Sequence, residues 1–223
     1  MSLAIDTTAP APSSAERLAA AAPPGGEAIA IGVAVLSAAC LVWAPGKEEP
    51  LPALGWAAAF LLVAVHQDVR SLRIPNWLTF PSLVGAIALG ALEGGLRGAG
   101  VALAGAAVAL AVGFVPFALR WLGAGDVKAG MVLAALWGAE CFLGVFWWML
   151  VVGGLIAVAF VAVQGGLLDL LSRWLRSAHA TLVTRRIVYF RPAAGSAAAR
   201  GLPFAIAMAL GATAFQLWGT PWN

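Results

Sequence analysis

The stretch Cys141 to Gly165, CFLGVFWWMLVVGGLIAVAFVAVQG, runs for 25 residues without one charged side chain. A helix of about 20 mostly apolar residues matches the hydrocarbon thickness of a bilayer, so this stretch reads as a membrane span. The rest of the chain agrees. Of its 223 residues 62% are hydrophobic and 10% charged, and mean hydropathy is +0.93. A soluble domain is nearer half apolar and a quarter charged.

Working outward, seven apolar segments emerge: 27–44, 52–67, 77–94, 99–121, 127–139, 141–165 and 201–219. The expected fold is therefore an all-α, polytopic membrane helix bundle of about seven transmembrane helices. The fifth segment is short. It has to start inside the membrane or be shielded by neighbours, and a single bent helix over the fifth and sixth would flip all that follows. Residues 1–26, rich in Ala, Pro and Ser, read as a disordered tail ahead of a membrane-embedded domain, 27–223.

The basic residues orient the bundle. With the N-terminus inside, Arg17, Arg70, Arg73, Arg120, Lys128, Arg173, Arg176, Arg185, Arg186, Arg191 and Arg200 are all cytoplasmic, and only Lys47 and Arg97 lie outside. Within the one long cytoplasmic connection, 166–200, residues 167–190 mix Leu and Trp with Arg at helical spacing. They read as an amphipathic helix on the inner leaflet. No zinc knuckle, phosphate loop or basic-aromatic patch points to nucleic acid. Cys40 and Cys141 read as small hydrophobic core residues, and without a C-x-x-C they make no cysteine-based zinc site. His66 and His179 have no ligating partner one turn away and read as structural. No metal or cofactor is expected.

Two short polar stretches stand out at the cytoplasmic edge: HQDVRSLRIPNWLTFP, 66–81, and LGAGDVKAG, 122–130. Asp68 falls at the C-terminal end of the second helix, where the helix dipole disfavours a carboxylate. Asp126 opens the fifth, where the dipole favours one. Asn76, after Pro75, reads as the N-cap of the third helix, with Thr79 one turn on. Gly123 and Gly125 allow a close backbone approach beside Asp126. Two carboxylates at one membrane depth suggest a dyad sharing a proton. Such a dyad can deprotonate a water while hydrogen-bonding a carbonyl oxygen, the chemistry of aspartyl peptide hydrolysis. The dipoles make Asp126 the base and Asp68 the acid. The bland alternative is an exposed Asp68 paired with Arg70.

These residues resemble the type IV prepilin peptidase family, membrane aspartyl peptidases with a GxGD motif. DVRSLRIPNWLT, 68–79, is similar to the family's first aspartate motif, GAGDVK, 123–128, to its second, and LPFAIAMALGA, 202–212, to its C-terminal helix. The resemblance implies Asp68 and Asp126 as the catalytic pair, and Gly123, Gly125, Lys128, Pro75 and Asn76 as residues that position them. It implies pilin- or flagellin-like precursors as substrates, with a basic leader removed at the cytoplasmic face of the inner membrane. The paired Cys-x-x-Cys motifs of larger, N-methylating members are absent. The chain thus resembles the short members, such as those serving tight-adherence pili, which speaks against methyltransferase activity.

Two rivals stand against this reading. A presenilin-like or signal-peptide-peptidase-like protease shares GxGD but has Tyr before the first aspartate and Pro-Ala-Leu near the end. Here Gln67 precedes Asp68, and Leu202, Pro203 and Phe204 occupy the late helix. A proton-coupled transporter would place its carboxylates near the midplane.

Overall fold

The computed structural model describes residues 26–43, 51–119, 121–163, 166–185 and 203–220. The described residues form six helices: α1 (Gly26–Trp43), α2 (Leu51–Ser71), α3 (Asn76–Ala118), α4 (Ala124–Val163), α5 (Leu167–Thr184) and α6 (Phe204–Trp218). The expected tail, the basic residues Arg17, Lys47, Arg120, Arg186, Arg191 and Arg200, the last part of the amphipathic segment and Leu202 lie outside them. All-helical architecture is what a bilayer demands of an open chain, since each backbone polar group must find its partner internally.

Helices α3 and α4 each cover two of the apolar segments read from the sequence, and each is folded at a glycine. Gly95 (φ 62, ψ −147) interrupts α3 and Gly138 (φ 83, ψ 169) interrupts α4. Both conformations are open to glycine and strained for other residues. The chain reverses at each. Gly90 and Gly98, eight residues apart, meet backbone to backbone. Gly130 faces the Phe142 ring, although twelve residues of straight helix would separate them by about 18 Å. The seven apolar segments thus each correspond to a helical arm, and the doubled-back α4 excludes the single bent helix over the fifth and sixth.

By length and composition α2, α3 and α4 are apolar enough to cross a membrane, while Glu27–Trp43 and α6 are shorter apolar helices. The short fifth segment, now the first arm of α4, is shielded: Val132, Leu133 and Ala134 are completely buried.

Small residues set how closely the arms approach, as expected where lipid removes the hydrophobic drive between helices. Gly105 and Gly113 in the second arm of α3 meet Ala134 and Val127 in the first arm of α4. Gly153, Gly211 and Gly144 do the same between the second arm of α4 and α6, against Ala207, Met149 and Phe215. In both pairs one sequence number rises as the other falls, so the contacts are antiparallel. The core joins Leu41 of α1, Leu54, Leu61 and Val65 of α2, Leu133 and Val145 of α4, and Met208 of α6.

Two ends result. Glu27 at the start of α1 pairs with Arg70 at the end of α2 (3.6 Å), which sets both at one end. The turns at Gly95 and Gly138 mark the other. Cys40 is exposed on α1 and Cys141 half-buried. Cys40 is therefore not the core residue expected. The amphipathic segment forms α5, with Leu168, Leu171, Leu175 and Leu182 exposed along one face. Its main contact with the bundle is α4, the helix before it.

Candidate active site

The two polar stretches meet at the Glu27–Arg70 end. Ser71 ends α2, Leu72 adopts a left-handed conformation (φ 51), and its N–H bonds the Asp68 carbonyl at 2.7 Å. The chain then runs through Ile74 and Pro75 into α3. Gly125 packs on this connection: a Cβ there would lie 3.1 Å from the Ile74 carbonyl and 3.3 Å from its Cβ. That close approach is the reason for a glycine before Asp126.

Asn76 is not the N-cap. Pro75 holds that position (φ −75, ψ 152) without a side-chain cap bond, and Asn76 is the first helical residue. Its Oδ1 is engaged elsewhere, accepting a hydrogen bond from Lys128 Nζ at 2.8 Å. The same ammonium sits 5.1 Å from the Phe80 ring centroid, within cation–π range. Lys128 thereby ties the second polar stretch to the first.

Asp126 occupies the third position of α4. Its Oδ2 accepts the Gly123 N–H at 3.0 Å, and its own N–H donates to the Gly123 carbonyl at 3.1 Å. A side chain at N3 reaching back to the N-cap amide is half of a capping box. Gly123 fits because a Cβ would press 3.1 Å from that oxygen. Asp126 is half-buried.

Asp68 is 4% exposed, so it does not form the surface pair with Arg70; that guanidinium goes to Glu27. Its Oδ2 accepts the Ala205 N–H at 2.8 Å across 137 residues, and the Phe204 amide also acts on it. Asp68 thus caps α6, whose N-cap, Pro203, has no side-chain oxygen to offer. Asp68 lies in the last turn of α2 and Asp126 in the first turn of α4, as the sequence suggests, but Asp68 also caps the N-terminus of α6, which offsets the contrast of dipoles. Burial separates them instead. The Lys128–Asn76 bond and the Gly125–Ile74 contact join the stretches that carry the two aspartates, which sets both carboxylates at one end of the bundle.

Residues 56–167, half of the chain, match the type IV leader peptidase family. The chain belongs to that family. This membership makes it a peptidase of leader sequences, and with three helices long and apolar enough to cross a bilayer it is a membrane protein. The match covers both aspartates and every residue read as positioning them, and it favours the prepilin branch over the presenilin-like one. No curated protein and no solved structure matches the chain.

The matched region stops before α6, whose Phe204–Ala205 amides were not singled out by the sequence reading. A signal existed. Pro203 starts an apolar helix without a capping side chain, and amides left bare at membrane depth demand an acceptor from elsewhere. Thr79, one turn into α3, is 2% exposed, and its Oγ1 has no hydrogen-bond partner among the described residues.

Proposed function

We propose that this leader peptidase is an aspartic endopeptidase that removes the short basic leader of pilin- or flagellin-type precursors by activating a water between Asp68 and Asp126. The observation that carries this reading is that the two polar stretches meet at one end of the bundle with each carboxylate held by a backbone amide, Asp126 by Gly123 and Asp68 by Ala205. Like charges held close together in a low dielectric share a proton. Asp126, with more accessible surface than Asp68, is the base that takes the proton of water, and buried Asp68 is the acid that hydrogen-bonds the scissile carbonyl. Gly123, Gly125, Pro75, Asn76 and Lys128 hold the geometry, and neither metal nor cofactor takes part.

In the same reading the chain crosses the inner membrane about seven times with its N-terminus in the cytoplasm. Arg70, Arg73 and Lys128 at the aspartate end, against Arg97 at the other, support a cytoplasmic site. Helix α5 lies on the inner leaflet with its leucine face in lipid. The precursor's apolar helix stays in the bilayer while its leader reaches the dyad.

The test is co-expression with a pilin-type precursor, read by loss of its leader. Cleavage by the wild-type chain and none by Asp68→Asn or Asp126→Asn is expected; cleavage surviving either substitution refutes the mechanism. A transporter would move protons without processing the precursor.

A further inference from the structure

The substrate proposed above is an apolar helix held in the bilayer behind a leader, and the chain carries a segment of that form. Helix α1 spans 18 residues from Gly26, and Glu27 is its only charged side chain. Glu27 pairs with Arg70, which follows Asp68 by two residues in the last turn of α2. Helix α1 packs on both α2 and α6, the two helices that Asp68 joins through the Ala205 amide. Ala30, Ala34 and Leu41 belong to the core, so the register of α1 is fixed. Its first turn is thereby held at the aspartate end of the bundle, where Glu27 and Ala28 are exposed to solvent.

The backbone at that turn suits hydrolysis. The first amides of a helix have no intrahelical partner, so the Glu27 N–H is not committed to the ladder. Freeing the Gly26 carbonyl undoes only a helix end, and helix ends fray. Gly26 has no side chain to keep a carboxylate and a water from that carbonyl. The sequence ahead of it, Pro23-Pro24-Gly25, is of residue types that disfavour a further helical turn. The ion pair of Glu27 with Arg70 then holds the Gly26–Glu27 bond near the end of α2.

We propose that the chain processes itself, hydrolysing its own Gly26–Glu27 peptide bond and releasing the residues ahead of α1. The step rests on the aspartic reading above. The oxygen of the activated water adds to the Gly26 carbonyl carbon and the C–N bond breaks. The Glu27 nitrogen takes a proton from the dyad, leaving a carboxylate at Gly26 and an amine at Glu27. Charge in the leader does not recruit this substrate, since Arg17 stands there against Asp6 and Glu16. Covalent attachment does, by giving α1 a high effective concentration at its own site. Helix α1 stays in the bundle afterwards, because its core contacts lie beyond the cut.

The test is co-expression of the full chain, tagged at its C-terminus, with a pilin-type precursor, followed by N-terminal sequencing and intact mass of the purified protein. The wild-type protein should begin at Glu27, and Asp126→Asn should keep the residues ahead of it. Gly26→Ile should also keep them while still cleaving the precursor, which shows that the variant is folded. An Asp126→Asn copy expressed beside the wild type should stay whole, since each α1 is presented to its own site. A wild-type chain that cleaves the precursor but keeps its own tail overturns the proposal and leaves the peptidase reading standing. A tail lost equally from Asp126→Asn overturns it too, by assigning the cut to another protease. So does a new terminus other than Glu27. If neither tail nor precursor is cut, both readings fail.

Discussion

Asp68 caps the helix that begins at Phe204: its Oδ2 takes the Ala205 amide proton at 2.8 Å, joining the end of α2 to a segment 137 residues away. One carboxylate therefore closes an otherwise bare helix start at the end of the bundle that also holds Asp126. The late Pro-Phe motif, weak as a sequence signal, is in the structure the partner of the first aspartate.

Catalysis and structure should separate at this residue. Asp68→Asn keeps an acceptor oxygen for Ala205 and should cost less than about 1 kcal/mol, whereas Asp68→Ala strands the amide and should cost about 1–3 kcal/mol. Thermal unfolding in detergent compares the two. Leader cleavage should fall by about 10²–10⁴-fold in both, the range of a lost general acid or base.

For Asp126 the same comparison should be milder. Its cap bond to Gly123 is local and half-exposed, so Asp126→Ala should lower stability by about 1 kcal/mol while reducing cleavage as severely as Asp68→Asn. A variant that keeps cleavage at the wild-type rate would remove Asp126 from the mechanism.

The Lys128–Asn76 bridge is exposed, so its contribution to stability should be small. A double-mutant cycle with Lys128→Met and Asn76→Ala should give a coupling of about 0.5–1 kcal/mol. Additive effects would show that the 2.8 Å contact does not hold the two polar stretches together.

Gly211 and Gly154 form a matched pair for testing the close packing of α4 and α6. A Cβ on Gly211 would lie 2.7 Å from both the N and Cα of Met149, while Gly154 faces open space. Gly211→Ala should destabilise by about 1–3 kcal/mol through overpacking. Gly154→Ala should be neutral or stabilising by up to about 1 kcal/mol through helix propensity. Unfolding midpoints of the two variants decide it.

Thr79→Val replaces a buried, unpartnered hydroxyl by a methyl of the same shape. Removing a polar group that has no partner should leave the unfolding midpoint unchanged or raise it. A clear fall would mean that the hydroxyl is hydrogen-bonded in the folded protein.

The helices, their approximate limits and the membrane as their solvent follow from local runs of apolar residues, because spanning length and hydropathy are properties of neighbours in sequence. Asp68 and Asp126 stand out in the sequence too, since a carboxylate at the edge of an apolar segment is expensive and needs a reason. Tertiary structure alone decided what each carboxylate touches. Asp68 lies against Ala205 and not Arg70, Asn76 meets Lys128 and does not cap, and the dipole contrast between the aspartates is offset once α6 reaches Asp68. Such contacts arise from chain reversals at Gly95 and Gly138 and from glycine-lined helix approaches. They join residues 50 to 140 positions apart, a range over which neither periodicity nor motif spacing carries information.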